Sequence, residues 1–248
     1  METFIYFFLE TLIVGLIIFG LYTSKKHFGL GLLYVFLGTM QFFQTILSGN
    51  VYNLYFDTFL FSPGSTLIFT STLFAVLLIF KNENVLKVRS AVYGIILSNI
   101  ILVFLSYISL EQILSDNFSR NTTFLAEVFN FDFNLFITGL FLLYMDMLLI
   151  IYLYKYFESK FPKLIFFHFL IPSVVISVLD SFLFYSLNLY FEPNYFEMMT
   201  GNIVGKVLVS IILSALFSFY FMVNPGKENK KKDLKDIFVI FNFTNDKR

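Results

Sequence analysis

The sequence contains no cysteine and only two histidines, His27 and His168, which lie far apart along the chain. The absence of cysteine excludes disulfide bonds and cysteine-based metal sites. The two histidines form no paired ligand motif, so we expect neither a metal centre nor a bound cofactor. Tryptophan is absent too, although 37 of the 248 residues are phenylalanine.

Charged residues are also scarce. They make up 14% of the chain, against roughly 25% in soluble domains, while 58% of the residues are hydrophobic. This composition predicts an integral membrane protein surrounded by the lipid bilayer. A transmembrane helix needs about 20 apolar residues, so seven helices with short loops use nearly the whole length. No segment is left for an appended soluble domain of about 50 residues or more.

The fold class that we predict is all-α, a polytopic bundle of about seven transmembrane helices. The first apolar run begins beside Met1, but it lacks the basic stretch of a signal peptide and carries Glu2 and Glu10, so we interpret it as a true span. The aromatic segment 50–61 is expected to lie in the membrane interface as a short helix. The predicted spans are 3–22, 28–48, 65–81, 92–110, 134–157, 164–187 and 203–223.

The basic residues predict the orientation of the bundle. Of the 17 lysines and arginines, fifteen fall on one side of a seven-span arrangement, Arg120 falls on the other side, and Lys206 lies within a span. Cytoplasmic loops carry the excess of basic residues. We therefore expect an outside N-terminus, a bundle over residues 1–226 and a basic cytoplasmic tail over 227–248. The expected location is the inner or plasma membrane.

Ionisable residues within the spans are candidate functional residues, because they are costly in lipid. Asp180 lies about sixteen residues into the sixth span, and Lys206 lies about four residues into the seventh, which runs the other way. At 1.5 Å per residue the two side chains have nearly the same depth. We expect either an ion pair that fixes the two helices or a pair that binds the polar edge of a ligand. A third alternative is that Lys206 extends to the outer interface.

Further acids and amides lie within the spans, most of them in the predicted outer half of the bundle. Each amide is either an interhelical hydrogen-bonding group or part of a pocket with apolar walls and a few converging polar groups. Carboxylates and amides favour a small heterocyclic ligand over an inorganic ion. The remaining candidate ligand-binding residues are Gln41, Gln44, Asn99, Asp146 and Asn202.

Three segments carry a resemblance to known families. Residues 62–66 (SPGST), 179–182 (LDSF) and 201–208 (GNIVGKVL) resemble the VUT family of vitamin uptake or queuosine-precursor transporters. Together with the second span from 28 to 44, they also look like the membrane-embedded N-terminal modules of some bacterial sensor kinases. Two features depart from the transporters: residues 73–78 contain no charge, where those transporters carry an acidic and a basic residue, and the family is described with about six spans. The first span is the extra one.

The resemblance implies a transporter that takes up a purine-like or vitamin-like small molecule, of the queuosine-precursor type. Because the sequence has no nucleotide-binding motif, such a transporter would need a gradient or a separate energising partner. The alternative is a ligand-sensing module that signals to a cytoplasmic partner. No catalytic motif is present, so we expect no enzymatic activity and no catalytic residues. We expect no nucleic-acid partner.

Overall fold

Long helices dominate the computed structural model, which describes residues 2–55, 58–115, 122–190 and 192–224. The helices are α1 (Glu2–Thr23), α2 (Lys25–Phe28), α3 (Gly31–Asn50), α4 (Phe69–Asn82), α5 (Val85–Ser115), α6 (Thr122–Phe129), α7 (Phe133–Lys160), α8 (Ile165–Asn188) and α9 (Tyr195–Val223). A π-helical turn, Gly64–Ile68, leads directly into α4. Within the described residues, seven helical segments are long and apolar enough to cross a membrane. The prediction of an all-α membrane bundle is therefore confirmed.

Each predicted span overlaps one of these seven segments, but two helices are much longer than predicted. The fourth span was expected at 92–110 and the helix is Val85–Ser115; the seventh was expected at 203–223 and the helix is Tyr195–Val223. An apolar run identifies only the part of a helix that lies in lipid. The helix itself continues into flanking polar residues as long as they make the backbone hydrogen bonds of an α-helix. The helix α6 was not predicted. The predicted tail, 227–248, lies outside the described residues.

The expected interfacial helix at 50–61 is wrong. The chain forms an antiparallel hairpin there, with β1 (Asn53–Tyr55) paired to β2 (Phe59–Phe61) in a register that places Leu54 opposite Leu60. Aromatic residues suit extended strands. The rings of Tyr55 and Phe61 stack at 4.0 Å, and both lie 5.3 Å from the ring of Phe7 in α1. The hairpin therefore packs onto the bundle through its buried aromatic side chains. We call this end of the molecule the hairpin end.

Helix α4 lies at the centre of the bundle. Every residue from Phe69 to Phe80 is buried, and α4 contacts α1, α3, α5, α7, α8 and α9. A helix that is apolar all round belongs inside a protein rather than on its surface. The central position of α4 therefore explains why residues 69–80 of this span include no charged residue. Thr70, Ser71 and Thr72 place hydroxyl groups in the interior.

The candidate residues at 146, 180, 202 and 206 lie on three consecutive helices that pack closely. The contacts of α8 with α7 and with α9 are the most extensive between elements of the described chain. Small residues line the α8–α9 contact, where the hydroxyls of Ser173 and Ser210 lie 2.6 Å apart. Small side chains let transmembrane helices approach closely. This arrangement brings the polar faces of α7, α8 and α9 together.

Candidate ligand-binding site

An ion pair joins α8 and α9 inside the bundle. The Lys206 ammonium donates a hydrogen bond to Oδ2 of Asp180, and the two residues are only 3% and 7% exposed. The predicted match in depth is thus confirmed, and Lys206 does not extend to the surface. The ammonium also lies 4.2 Å from the centre of the Phe69 ring in α4, a distance that allows a cation–π interaction.

Asp146 of α7 is the third ionisable group of this cluster. It is 4% exposed, and it interacts electrostatically with both Asp180 and Lys206. Its Oδ2 atom is buried and has no hydrogen-bond partner among the described residues. Two carboxyl groups therefore share the surroundings of one ammonium. We call Asp146, Asp180 and Lys206 the charged cluster.

Buried hydroxyl groups of α4 and α8 also lack partners among the described residues. Ser177 lies one helical turn before Asp180, and Thr70 and Ser71 directly follow Phe69, whose ring faces the Lys206 ammonium. Buried polar groups are almost always hydrogen-bonded in folded proteins. Ser177 thus presents an unpaired oxygen on the same helix face as Asp180, which suits a site for a polar ligand.

Asn202 connects the charged cluster to the hairpin end. Its Oδ1 accepts a hydrogen bond of 3.0 Å from Ser181 Oγ, and its Nδ2 donates one of 2.6 Å to Ser65 Oγ in the π-helical turn. Tyr185 of α8 interacts with Asn202, with Asp180 and with the hydroxyl of Tyr52 just before β1. These contacts link the hairpin, the π-helical turn and α8 to the residues around the ion pair.

Two glycines allow the hairpin to sit against α9 beside this network. A Cβ atom on Gly201 would lie 2.2 Å from the carbonyl oxygen of Leu60, and one on Gly205 would lie 2.7 Å from Thr66 Cγ2. Neither position has room for a larger side chain. The hairpin thus closes the end of α9 next to Asn202 and Lys206, and each residue of the charged cluster is less than 10% exposed.

The predicted amides Gln41 and Asn99 do not join the charged cluster. Asn99 Nδ2 donates to Gln41 Oε1 at 3.0 Å, and Gln41 Nε2 lies 3.3 Å from Thr72 Oγ1. These contacts form a separate link among α3, α4 and α5. Gln44 is partly buried near the π-helical turn, where its backbone oxygen would lie 2.6 Å from a Cβ on Gly64, and its Oε1 has no partner among the described residues.

Four residues of this region, Ser177, Ser181, Tyr185 and Phe69, were not among the predicted ligand-binding residues. A periodic signal was available for some of them. Polar residues recur every four positions along α9, at 202, 206, 210, 214 and 218, and serines recur at 173, 177 and 181 along α8. Residues four apart share one helix face. The two stripes therefore indicate facing surfaces, whereas nothing in the sequence identifies Phe69 as a neighbour of Lys206.

Two further charged networks lie at the opposite end of the bundle from the hairpin. Glu83, between α4 and α5, binds Lys25, Lys87 at 2.6 Å and the hydroxyl of Tyr22 at 3.0 Å. Burial by itself raises the pKa of Glu83, but the hydrogen bonds from its three partners hold the pKa below its usual value.

The second network includes Lys81, in the last turn of α4. Lys81 donates a 3.0 Å hydrogen bond to the Tyr154 hydroxyl, which donates to Glu158 at 3.1 Å. Helix α4 thus has Phe69 at the charged cluster and Lys81 in a polar network at its other end.

The bundle also has two open grooves, of about 400 and 560 Å³, between α3 and α5. Apolar and small residues such as Gly38, Ser98 and Ile101 line both, and no charged side chain does. These grooves lack the converging polar groups of a ligand site, so the charged cluster is the stronger candidate.

Residues 15–221 match the sequence model of a family described as vitamin uptake-like sensor. The chain belongs to the vitamin uptake-like sensor family. The match begins within α1 and ends within α9, so the family region contains the charged cluster and Asn202. Comparisons with curated proteins and with solved structures give no match. The chain is therefore a multi-pass membrane module of the vitamin uptake and sensing type.

Proposed function

We propose that the chain binds a small polar molecule at the charged cluster and acts as a membrane-embedded ligand-sensing module. The observation that carries the proposal is the burial of three ionisable groups, Asp146, Asp180 and Lys206, in a cluster where Asp146 Oδ2 has no partner among the described residues. Intramembrane ionisable groups are expensive, and they commonly mark substrate or signalling sites. A ligand that satisfies these groups would stabilise one arrangement of α7, α8 and α9.

The chemistry of the cluster favours a flat heterocycle that has both N–H and carbonyl groups. A carboxylate accepts hydrogen bonds from N–H groups, and an ammonium donates to a carbonyl oxygen or ring nitrogen. Phe69 and Tyr185 supply aromatic surfaces nearby. A purine-like molecule of the deazaguanine type combines these properties, and the resemblance to queuosine-precursor transporters supports the same class.

The family description favours sensing over uptake, and the position of α4 supports it. This helix is almost fully buried, and it extends from Phe69 beside Lys206 to Lys81 in the network at the opposite end. A shift of α4 on ligand binding would change the contacts of Lys81 and its neighbours there. A signalling partner at that end would detect the change. We propose no catalytic role for the chain.

Uptake is the second candidate function. Its support is the position of the charged cluster, because buried charges on facing transmembrane helices also occur along transport pathways. Uptake would require the hairpin to leave the end of α9, since Gly201 and Gly205 hold it in close contact there. An importer of this kind in the plasma membrane would need a gradient or a separate energising protein.

Radiolabelled 7-deazaguanine tests the proposal. We expect saturable binding to purified protein in lipid nanodiscs, at least a tenfold weaker affinity in Asp180→Asn, and unchanged affinity in Glu111→Gln, which removes an exposed charge of α5. Binding without accumulation inside proteoliposomes supports sensing, and accumulation supports uptake. Equal binding by Asp180→Asn and the wild type would exclude the charged cluster as the site. Absence of binding would exclude this ligand class.

A further inference from the structure

Asp146 is the one member of the charged cluster whose carboxyl group lacks a hydrogen-bonding partner for a buried oxygen. Its Oδ2 atom has no partner among the described residues, and the residue is 4% exposed. The only ammonium that interacts with Asp146 among the described residues is that of Lys206, and this ammonium is already bonded to Asp180. An ionised Asp146 would therefore place a second negative charge beside Asp180.

The other helices that pack against α7 offer no positive charge that could pair with an ionised Asp146. Helix α4 carries no charged residue between 69 and 80, and α5 carries none between 90 and 110. The titratable group of α5 that contacts α7 close to Asp146 is Tyr93, whose hydroxyl lies 3.3 Å from that of Tyr144, two residues before Asp146. The groups that interact with Asp146 are Asp180 of α8, which also shares a side-chain hydrogen bond with it, and Lys206 of α9.

The energetic comparison favours a neutral carboxyl group. An uncompensated buried charge costs several kcal/mol even after the protein relaxes. A buried neutral polar group without its hydrogen bond costs about 1–3 kcal/mol. Two carboxyl groups that share one site cannot both ionise at little cost, so one of them keeps its proton. Asp146, which has no hydrogen bond from the Lys206 ammonium, is the one that we expect to keep its proton.

We propose that Asp146 is a proton-binding site in the ligand-free protein, and that ligand binding at the charged cluster releases this proton. In the proposed step the O–H bond of Asp146 breaks and the proton passes to bulk water. The resulting carboxylate then accepts hydrogen bonds from N–H groups of the ligand, which replace the proton as the compensating partner. The first half of this proposal is independent of the ligand, whereas the second half rests on the proposed function.

Infrared spectroscopy of the ligand-free protein in lipid tests the first half. A protonated carboxyl group has a carbonyl stretching band that an ionised one lacks, and deuteration shifts this band. We expect the band at neutral pH in the wild type and in Glu10→Gln, which removes another carboxyl group from a span, and its loss in Asp146→Asn. Titration of the wild type to high pH, with loss of the same band, provides evidence that does not depend on folding of the variant. A wild-type spectrum without the band overturns the proposal.

Binding of 7-deazaguanine as a function of pH tests the second half. Release of one proton per ligand makes the dissociation constant fall about tenfold for each unit of rising pH while Asp146 remains protonated. Asp146→Asn should lose this slope. An equal slope in both proteins, or no slope in the wild type, overturns the coupling. A band without any binding of the probe would leave the proton site established and the proposed ligand class wrong.

Discussion

The charged cluster contains two carboxyl groups but only one ammonium, that of Lys206. This imbalance determines how much each substitution in the cluster destabilises the protein. Asp180 accepts the hydrogen bond of Lys206, and Asp146 interacts with Lys206 electrostatically. Breaking a buried ion pair is costly because the remaining partner keeps its charge without compensation. The cost therefore depends on whether another group of opposite charge remains within reach. Lys206 has such a group in Asp146, whereas Asp180 has no second cation in the cluster.

We expect Lys206→Met to destabilise the protein more than Asp180→Asn does. Loss of the ammonium leaves two carboxyl groups together, and the cost should approach the 3–5 kcal/mol typical of a broken buried pair. In Asp180→Asn the ammonium can pair with Asp146, so we expect roughly half that cost. The double variant should recover most of the loss seen in Lys206→Met.

Thermal unfolding of the four proteins in detergent measures this double-mutant cycle. Equal and additive losses in the two single variants would show that the pair does not stabilise the fold.

Glu83 gives a prediction for pH dependence at the opposite end of the bundle. Its pKa is held below the usual value by Lys25, Lys87 and Tyr22, despite the opposing effect of burial. A group whose pKa is depressed in the folded state contributes stability above its unfolded pKa and loses it as pH falls through the folded pKa. We expect the wild type to lose this contribution below about pH 4.5, the usual glutamate value.

Glu83→Gln should lower the unfolding temperature at pH 7 and show a smaller further loss on acidification than the wild type. The expected cost at pH 7 is about 1–3 kcal/mol, the range for a buried group that loses charged hydrogen-bond partners. Glu127→Gln removes an acid of α6 outside the seven spans and provides the control. Parallel acid profiles of Glu83→Gln and the wild type would contradict the assignment.

At the scale of elements, the packing of the hairpin and of the π-helical turn against neighbouring helices requires glycines at the points of closest contact. Gly64 lies against the backbone of α3 near Gln44 and Ser48, and Gly201 lies against the backbone of Leu60. A backbone atom cannot rotate away as a side chain can, so an added methyl group must move a whole element. These contacts position the hairpin over Asn202, which binds both Ser65 and Ser181.

Gly201→Ala should separate the hairpin from α9, because its Cβ would lie 2.2 Å from the carbonyl oxygen of Leu60. Overpacking of this kind costs about 1–3 kcal/mol, and we expect a lower unfolding temperature and faster backbone hydrogen exchange in β1 and β2. Gly94→Ala is the matched control, since a Cβ atom there has nothing within 4 Å. Similar exchange rates in the two variants would show that the close contact does not hold the hairpin.

The hairpin also shows where sequence reasoning was limited at this scale. Aromatic and apolar residues at 51–61 fit an interfacial helix and a buried hairpin equally well, because a short apolar run carries no decisive periodicity. The choice depends on Phe7 in α1, which packs on Tyr55 and Phe61. That contact joins residues about fifty positions apart and is not visible in a local pattern.

For the whole molecule, the number of spans was predictable and the grouping of polar residues was predictable only in part. Each apolar run corresponds to a segment able to span the membrane, since lipid imposes its length and composition directly. Depth along a span correctly paired Asp180 with Lys206. Depth gives one coordinate, however, and the neighbours of a helix are set by packing. Gln41 and Asn99 therefore bond each other across α3 and α5 instead of joining the charged cluster.

The orientation of the bundle is the prediction on which the direction of signalling or uptake depends. Basic residues collect at the end opposite the hairpin, and cytoplasmic loops carry the excess of such residues. The hairpin and the nearby charged cluster should therefore face outward. Asn194 and Lys163 lie beyond opposite ends of α8, and both are exposed.

The native chain lacks cysteine, so single cysteines at these two positions report the topology directly. A membrane-impermeant maleimide should label Asn194→Cys in intact cells and should label Lys163→Cys only after the membrane is permeabilised. Lys26→Cys, between α1 and α3, should behave like Lys163→Cys. The reverse pattern would place the hairpin in the cytoplasm, and the charged cluster would then bind a ligand that arrives from inside the cell.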